Sequence, residues 1–400
     1  MERAELARWL GVSLASGAPR DVVVAERDPA AFRAAFADAV AAGGTVFLAD
    51  PAWGALERAQ FDALRNASVS ADRERGWLCI PTGGSSGQIK LARHDAHTIA
   101  AAVGGFCAHF GVTRVNAVGL LPLHHVSGLM GWLRCVLTGG QYVPWEGSAL
   151  LAGRMPVRPA GDGDWFLSLV PTQLARLMEQ PPAVEWLRSF RAVFIGGGPA
   201  WPALVEAGAR LHLPLSFSYG MTETAAMVTA LRPEEFLAAA RGCGSALPHA
   251  SVTLDTDGVV VIRSASLFRG YYPAMAAATV WSPQDLGRLD ERGSLHLLGR
   301  RDGLIITGGE KVNPTEVEAA LRETGLFNDV AVLGLPDERW GEAVTAFYPQ
   351  GSAELDLARV EGALAGLLAA YKRPKRFIAV AEWPRNAQGK VNRTALRGSV

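Results

Sequence analysis

Only four cysteines occur in the 400 residues, Cys79, Cys107, Cys135 and Cys243. No two stand at C-x-x-C spacing, which argues against a zinc knuckle and against a disulfide framework. Isolated thiols in apolar runs read as buried packing residues. An excess of charge is also lacking: Lys plus Arg equals Asp plus Glu at 39 each, for a formal net charge of zero. With no bulk field to draw the chain to polyanions, neither nucleic acid nor an anionic membrane is an expected partner. No uninterrupted apolar run reaches the ~20 residues of a membrane-spanning helix. The opening Met1-Glu2-Arg3-Ala4-Glu5 has no apolar signal region. The expectation is a cytoplasmic enzyme without membrane insertion.

What is present is 49 % hydrophobic and 20 % charged, a globular composition. The chain is too long for one ordinary core, so two or three domains or subdomains are expected. Its densest polar landmark is Thr82-Gly83-Gly84-Ser85-Ser86-Gly87-Gln88-Ile89-Lys90. Glycines, short hydroxyls and one lysine can wrap N–H and O–H donors and a cation around a polyphosphate. Trp77 to Ile80 before the loop reads as a buried strand and Asp95 to Phe110 after it as a helix, the strand, turn, helix order of α/β phosphate sites. The loop is not a Walker sequence, because Ile89 precedes Lys90 and Leu91 follows it. An ordinary flexible connector remains the plainer reading.

Asp28-Pro29 reads as a helix start with Phe32, Phe36 and Val40 on one stripe and Gly43-Gly44 at the end, followed by a strand from Thr45 to Asp50. The apolar run from Val115 ends in Leu121-Pro122-Leu123-His124-His125-Val126-Ser127-Gly128, either a pocket edge at a strand end or a turn with capping histidines. Leu129 to Leu137 reads as a buried helix carrying one charge, Arg134. Such a cation snorkels, pairs with an internal carboxylate, or meets a ligand carboxylate. Further strands are expected at Trp165 to Val170, Arg191 to Ile195 and Leu215 to Ser218. The second is capped by Gly196-Gly197-Gly198-Pro199-Ala200; Trp201 occupies the position where the dinucleotide fingerprint needs glycine, which disfavours a Rossmann hydride-transfer enzyme.

After the third strand, Tyr219-Gly220-Met221-Thr222-Glu223-Thr224 offers a stacking ring, hydroxyls and a carboxylate suited to a base, phosphate oxygens and Mg²⁺; the alternative is an ordinary helix start. A β-rich subdomain is expected from Ser251. Asp285 could accept ribose hydroxyls or be a plain turn residue. A hinge-like boundary falls at Gly299-Arg300-Arg301-Asp302-Gly303. Then Gly308-Gly309 precede a helix with Asn313 as N-cap, Pro314 next and Glu316 three on. The last polar turn, Pro384 to Lys390, leaves Lys390 beside Gly389, where a lysine is ordinarily just solvated.

Together these turns resemble the acyl-adenylate-forming ligases, the superfamily of acyl-CoA synthetases, luciferases and peptide-synthetase adenylation domains. The likeness rests on Thr82 to Lys90, Leu121 to Gly128, Gly196 to Ala200, Tyr219 to Glu223, Asp285-Leu286-Gly287, Gly299 to Asp302 and Gly389-Lys390, in family order over about three-quarters of the chain. Within the superfamily, His125 to Gly128, Val170 to Leu174, Ser218 to Glu223 and the cation at Arg134 are most similar to the o-succinylbenzoate–CoA ligases of menaquinone and phylloquinone synthesis. The departures are Ile89-Lys90 where relatives carry Pro-Lys, Ser85-Ser86 where they carry threonines, and a short segment before Thr82.

The resemblance implies an α/β fold: a large N-terminal domain of several subdomains over residues 1–301, shortened at its start, and a small mobile α+β domain over 302–400. It implies ATP, Mg²⁺, coenzyme A and a carboxylic acid, o-succinylbenzoate, as small-molecule partners. It places Thr82, Ser85, Ser86, Gly87 and Lys90 on the ATP phosphates, Gly197, Gly198, Tyr219 and Gly220 around adenine and the phosphates, Asp285 and Arg300 on ribose, and Glu223 on Mg²⁺. Lys390, Thr222, Glu223 and His125 would be catalytic. Arg134, Ser127 and Gly128 would bind the acid, with Arg134 meeting its second carboxylate. Asp302 would be the hinge, and Gly308 and Gly309 would line the CoA tunnel. Two other readings remain: an aryl- or fatty-acyl-CoA ligase in which Arg134 is structural, and a nucleotide-binding scaffold without turnover.

Overall fold

The computed structural model describes residues 1–67, 76–83, 89–159, 161–198, 200–274, 279–308, 310–351, 356–385 and 390–399. The helix Pro29–Ala41 forms where Asp28 caps it, its carboxylate accepting from the amides of Ala30 and Ala31 at 3.0 and 2.8 Å. Phe32, Phe36 and Val40 then fall on one buried stripe. Behind them lies a four-stranded sheet in the order Arg20–Val24, Gly43–Leu48, Leu78–Gly83, Ile89–His94. The first three strands are parallel and the last is antiparallel.

That fourth strand corrects the strand, turn, helix expectation. The glycine-rich stretch joins two strands of a hairpin in which Thr82 faces Lys90 and Pro81 faces Leu91. The helix Ala96–Phe110 follows only afterwards, opened by a reciprocal cap between Asp95 and Thr98. Arg93 and His94 hid the strand, because two basic residues interrupt the apolar run. Both are nevertheless buried, and each is satisfied locally: Arg93 Nε donates to Gly76 O at 2.9 Å and His94 Nε2 donates to Thr222 O at 2.7 Å.

A second sheet of seven strands runs Ser245–Ala246, Ala226–Ala230, Leu215–Met221, Ala192–Ile195, Asp164–Leu169, Val115–Gly119, Tyr142–Pro144. The last five of these are mutually parallel. The helices Ala96–Phe110 and Val126–Thr138 lie between the two sheets. Ile99, Ala102, Met130 and Leu133 pack toward Phe36 and Leu78, whereas Phe106, Phe110 and Cys135 pack toward Val115, Phe166 and Phe194. A helix with apolar neighbours on both flanks needs little polar face, which is why the second of these reads as a buried helix. The thiols of Cys79 and Cys135 are buried and all four cysteines are free.

Two antiparallel ribbons follow, Ala250–Leu254 with Val260–Ser264 and Asp285–Leu289 with Leu295–Arg300. Asp285 therefore begins a strand and is not a turn residue. The remaining residues build a separate five-stranded sheet from Ile305–Thr307, Glu310–Val312, Ala331–Asp337, Gly341–Pro349 and Arg376–Val380, with its own core around Val317, Val332, Val344 and Val360. Its first helix, Pro314–Glu323, starts at Asn313, whose side chain accepts from Thr315 N at 3.0 Å. Glu316 does not complete a capping box; it accepts from Lys372 Nζ at 2.6 Å. This unit touches the rest through Asn313, which donates to Leu298 O, and through Arg322, whose guanidinium lies 5.5 Å from the Trp201 ring centre. Among the described residues no helix is long and apolar enough to cross a membrane.

Candidate active site

Five parallel strands end on one edge of the seven-stranded sheet, and the turns leaving that edge carry most of the polar residues singled out above. The turn after Val115–Gly119 leads to His125, which stands at the N-cap of Val126–Thr138 but makes no side-chain cap bond, so the capping-histidine alternative fails. Gly128 must be glycine, since a Cβ there would sit 2.2 Å from Pro122 O. Ser127, Gly128 and Arg134 line one cavity together with Phe106, Tyr142 and Phe166.

Arg134 is 4 % exposed, has its ring neighbour Phe106 at 4.3 Å, and makes no ion pair among the described residues; its Nε has no hydrogen-bond partner. Burial lowers its pKa to about 10, which still leaves it charged at neutral pH. An unpaired buried cation costs several kcal/mol in order of magnitude, and here the Phe106 ring and the cavity are what faces it. Neither snorkelling nor an internal carboxylate explains it.

The nucleotide side is assembled from both sheets. Glu223, 8 % exposed, lies in the short turn Thr222–Thr224 after Leu215–Met221. Its Oε1 accepts from the Tyr271 hydroxyl at 2.5 Å, and Lys90 Nζ stands 5.2 Å from the centre of the Tyr271 ring. Thus Lys90 and Glu223, far apart in sequence, meet across one tyrosine. Glu223 Oε2 has no hydrogen-bond partner among the described residues, and with the neighbouring Thr222 hydroxyl it offers the oxygen ligands that a Mg²⁺ ion prefers. Tyr219 donates to Asp285 Oδ2 at 2.5 Å, and Arg300 lies 3.5 Å from Asp285 Oδ1, so these three also converge. Gly220 is explained by its partner strand: a Cβ would lie 2.0 Å from Ala226 O.

Lys390 reaches this edge from the five-stranded unit. A Cβ on Gly197 would be 3.3 Å from Lys390 Cε, 3.8 Å from its Nζ and 3.6 Å from Val170. Gly197 has a φ of +79°, a left-handed conformation that favours glycine. The lysine is not simply solvated; its pKa is lowered by desolvation, and its charge helps to lower that of His125. Gly308 lies under Trp340, with its amide donating to Trp340 O at 2.8 Å. Ser85, Ser86, Gly87 and Gly309 lie outside the described residues, as does the side chain of Asp302 in the turn Arg301–Gly303.

Several residues at the site carried no signal in the sequence reading. Asp50 accepts from Ala52 N at 2.8 Å and stands 3.5 Å from His124 Nε2, and the His124 and His125 rings lie 4.4 Å apart. His249 packs against Gly105, where a Cβ would meet its Nδ1 at 1.8 Å, and it feels the Arg134 charge. Tyr271 and Tyr142 also join by contacts across long sequence separations.

The family of AMP-binding enzymes matches residues 8–272, and the AMP-binding enzyme C-terminal domain matches residues 316–390. The chain belongs to the AMP-binding enzymes. Among the relatives of this family member is the 2-succinylbenzoate–CoA ligase of Listeria monocytogenes serotype 4b (strain F2365), 31 % identical over 342 residues, which are 82 % of this chain and 70 % of that protein. The fold is that of the o-succinylbenzoate CoA synthetase of Bacillus subtilis in complex with its acyl-adenylate intermediate, at a TM-score of 0.79 and 22 % identity, covering 99 % of this chain and 91 % of that one. The same Bacillus subtilis enzyme in complex with ATP and magnesium ion superposes with a TM-score of 0.77, at 22 % identity and with 99 % and 92 % covered. As in those structures, a large α/β body precedes a smaller C-terminal unit.

Burial holds His94, His125 and His249 of this AMP-binding enzyme neutral, each down to a pKa of about 4. In the unfolded chain they titrate near 6.5, so between pH 6.5 and 4 unfolding takes up protons that the folded chain refuses. Stability is full above that window and falls as pH drops through it, on the order of 1 kcal/mol per histidine by pH 5. Thermal melts from pH 7.5 to 5 should show Tm falling only below about pH 6.5; a Tm flat to pH 5 would mean that these rings are not held neutral.

Proposed function

We propose that the chain activates o-succinylbenzoate with ATP and transfers the acyl group to coenzyme A, a step of menaquinone or phylloquinone synthesis in the cytoplasm. The observation that carries the reading is Arg134, a buried cation without an anion partner among the described residues, in the wall of an aromatic-lined cavity at the sheet edge. An acid with one carboxylate at the reacting end and a second at the far end supplies the missing charge. The Listeria relative is named for such an acid.

In the first half-reaction one carboxylate oxygen attacks the α-phosphorus of ATP, forming the mixed anhydride as the bond to the pyrophosphate oxygen breaks. Lys90, with Thr82, Ser85, Ser86 and Gly87, holds the departing phosphates. Tyr219, Gly197, Gly198 and Gly220 frame adenine and the phosphates, and Asp285 with Arg300 holds the ribose hydroxyls. Glu223 and the Thr222 hydroxyl would hold Mg²⁺, which would supply charge neutralisation at the phosphates. Lys390 sits between the attacking carboxylate and the phosphate oxygens, and His125, kept neutral by burial, lies against the same carboxylate without adding charge to it. In the second half-reaction the C-terminal unit turns about Asp302, withdraws Lys390 and brings Gly308 and Gly309 to line the path of the CoA thiol.

The test is a panel of acids with ATP, Mg²⁺ and CoA, followed by AMP release and thioester mass. o-Succinylbenzoate should exceed benzoate and medium-chain fatty acids by at least about 100-fold in kcat/KM, the worth of satisfying a buried charge. A monocarboxylic acid that matches it assigns the chain to another acyl-CoA ligase activity, and no AMP from any acid overturns turnover itself.

A further inference from the structure

The cavity carries a second polar group that the assignment of Arg134 leaves unused. Tyr142 lies on the edge strand Tyr142–Pro144 and its Cα pairs with Ala117, but its hydroxyl passes over Gly119, where a Cβ would stand 1.9 Å from it. Only glycine at 119 lets the phenol reach that point. Both residues line the cavity, and among the described residues the Tyr142 hydroxyl has no hydrogen-bond partner. Its ring is fixed between apolar residues of two cores, with the Arg33 guanidinium 5.9 Å from its centre. Burial pushes the phenol pKa up, so the group stays an O–H donor at any working pH. A half-buried donor that opens on a cavity, with no protein acceptor among the described residues, gains free energy when a ligand there supplies one.

The depth of that donor identifies the acceptor. Arg134 stands next to Cys135, whose thiol meets the backbone of Ala117. Gly119 is two residues nearer the strand end, ~7 Å along the strand. Ser127, which also lines the cavity, stands seven residues and ~10 Å of helix from Arg134, toward the helix N-terminus. The phenol oxygen is therefore placed part-way between the reacting end and the cation. In o-succinylbenzoate the atom part-way between the two carboxylates that can accept a hydrogen bond is the ketone oxygen.

We infer that the Tyr142 hydroxyl donates to the ketone of the bound acid, making Tyr142 a specificity-determining residue that selects a 4-oxo acid over its methylene analogue. This rests on the o-succinylbenzoate reading above and adds a second recognition point to it. A site with a donor in place rejects the ligand that lacks the acceptor, because the donor is then left buried and unpaired.

The experiment compares wild type and Tyr142→Phe on o-succinylbenzoate and on 4-(2-carboxyphenyl)butanoate, which has CH₂ in place of the carbonyl, by kcat/KM for AMP release. Wild type should prefer the keto acid about 10- to 100-fold, the worth of one buried hydrogen bond. In Tyr142→Phe that preference should shrink to less than about threefold, through loss on the keto acid alone, with KM for ATP unchanged. An intact preference in the variant, or an equal loss on both acids, overturns the role of Tyr142 while leaving the ligase activity standing. If wild type releases AMP with neither acid, the ligase reading falls and the Tyr142 proposal falls with it.

Discussion

Lys390→Ala should lower acyl-adenylate formation by about 10²- to 10⁴-fold, the range seen when one preorganised donor to a developing charge is removed, and leave thioester formation from preformed acyl-adenylate and CoA within about threefold of wild type. The first expectation follows from placement. The lysine side chain lies over Gly197, at the end of the strand Ala192–Ile195, and its charge is felt at His125 across the site. A carboxylate approaching a triphosphate meets strong repulsion between anions, and a cation held between them lowers that repulsion and aligns the attack. The second follows from the chemistry of the later step, in which a thiol attacks an already activated acyl carbon and no polyphosphate leaves. Pyrophosphate exchange reads the first step, and mass detection of the thioester from supplied acyl-adenylate reads the second. Equal loss in both would show that Lys390 is needed only to hold the C-terminal unit against the rest.

Lys390 also shows where reading a sequence stops. Beside Gly389 it looks like any surface lysine, and only likeness to a family marked it; the contact with Gly197 bridges nearly two hundred positions. Four parallel strands of the seven-stranded sheet, Val115–Gly119, Asp164–Leu169, Ala192–Ile195 and Leu215–Met221, were legible because each is largely buried and reads as a short apolar run, Ala192–Ile195 being the plainest. Asn313 and Asp28 were legible as caps because capping chemistry is local. The strand Ile89–His94 was not, since Arg93 and His94 are buried by donating to the carbonyls of Gly76 and Thr222, partners distant in sequence. The candidate site divides in the same way. Glu223 and His125 sit in short polar turns after strands and could be seen. Tyr271, Tyr142, His249 and Asp50 contribute through single contacts made by tertiary packing, and their neighbours in sequence carry no sign of it.

Arg134→Met should raise KM for o-succinylbenzoate by about 10²- to 10³-fold, the loss expected when a charge-assisted pair is broken in a buried site, while KM for ATP changes by less than about threefold. The same substitution should not destabilise the protein. Arg134 is buried against Phe106 with no anion beside it among the described residues, its Nε unpartnered and its pKa already lowered by burial. A flexible apolar chain of similar volume removes the desolvation penalty and keeps the packing, so Tm should hold or rise by a few degrees. That pairing of outcomes distinguishes a recognition residue from a structural one: a structural arginine, holding the helix Val126–Thr138 to its neighbours, would lose stability on replacement. Ligand melts complete the argument. Saturating o-succinylbenzoate should raise the Tm of wild type, because a bound carboxylate supplies the missing charge, and should leave Arg134→Met unmoved. A variant that melts lower and still responds to the acid would return Arg134 to the core and remove the second carboxylate from the substrate.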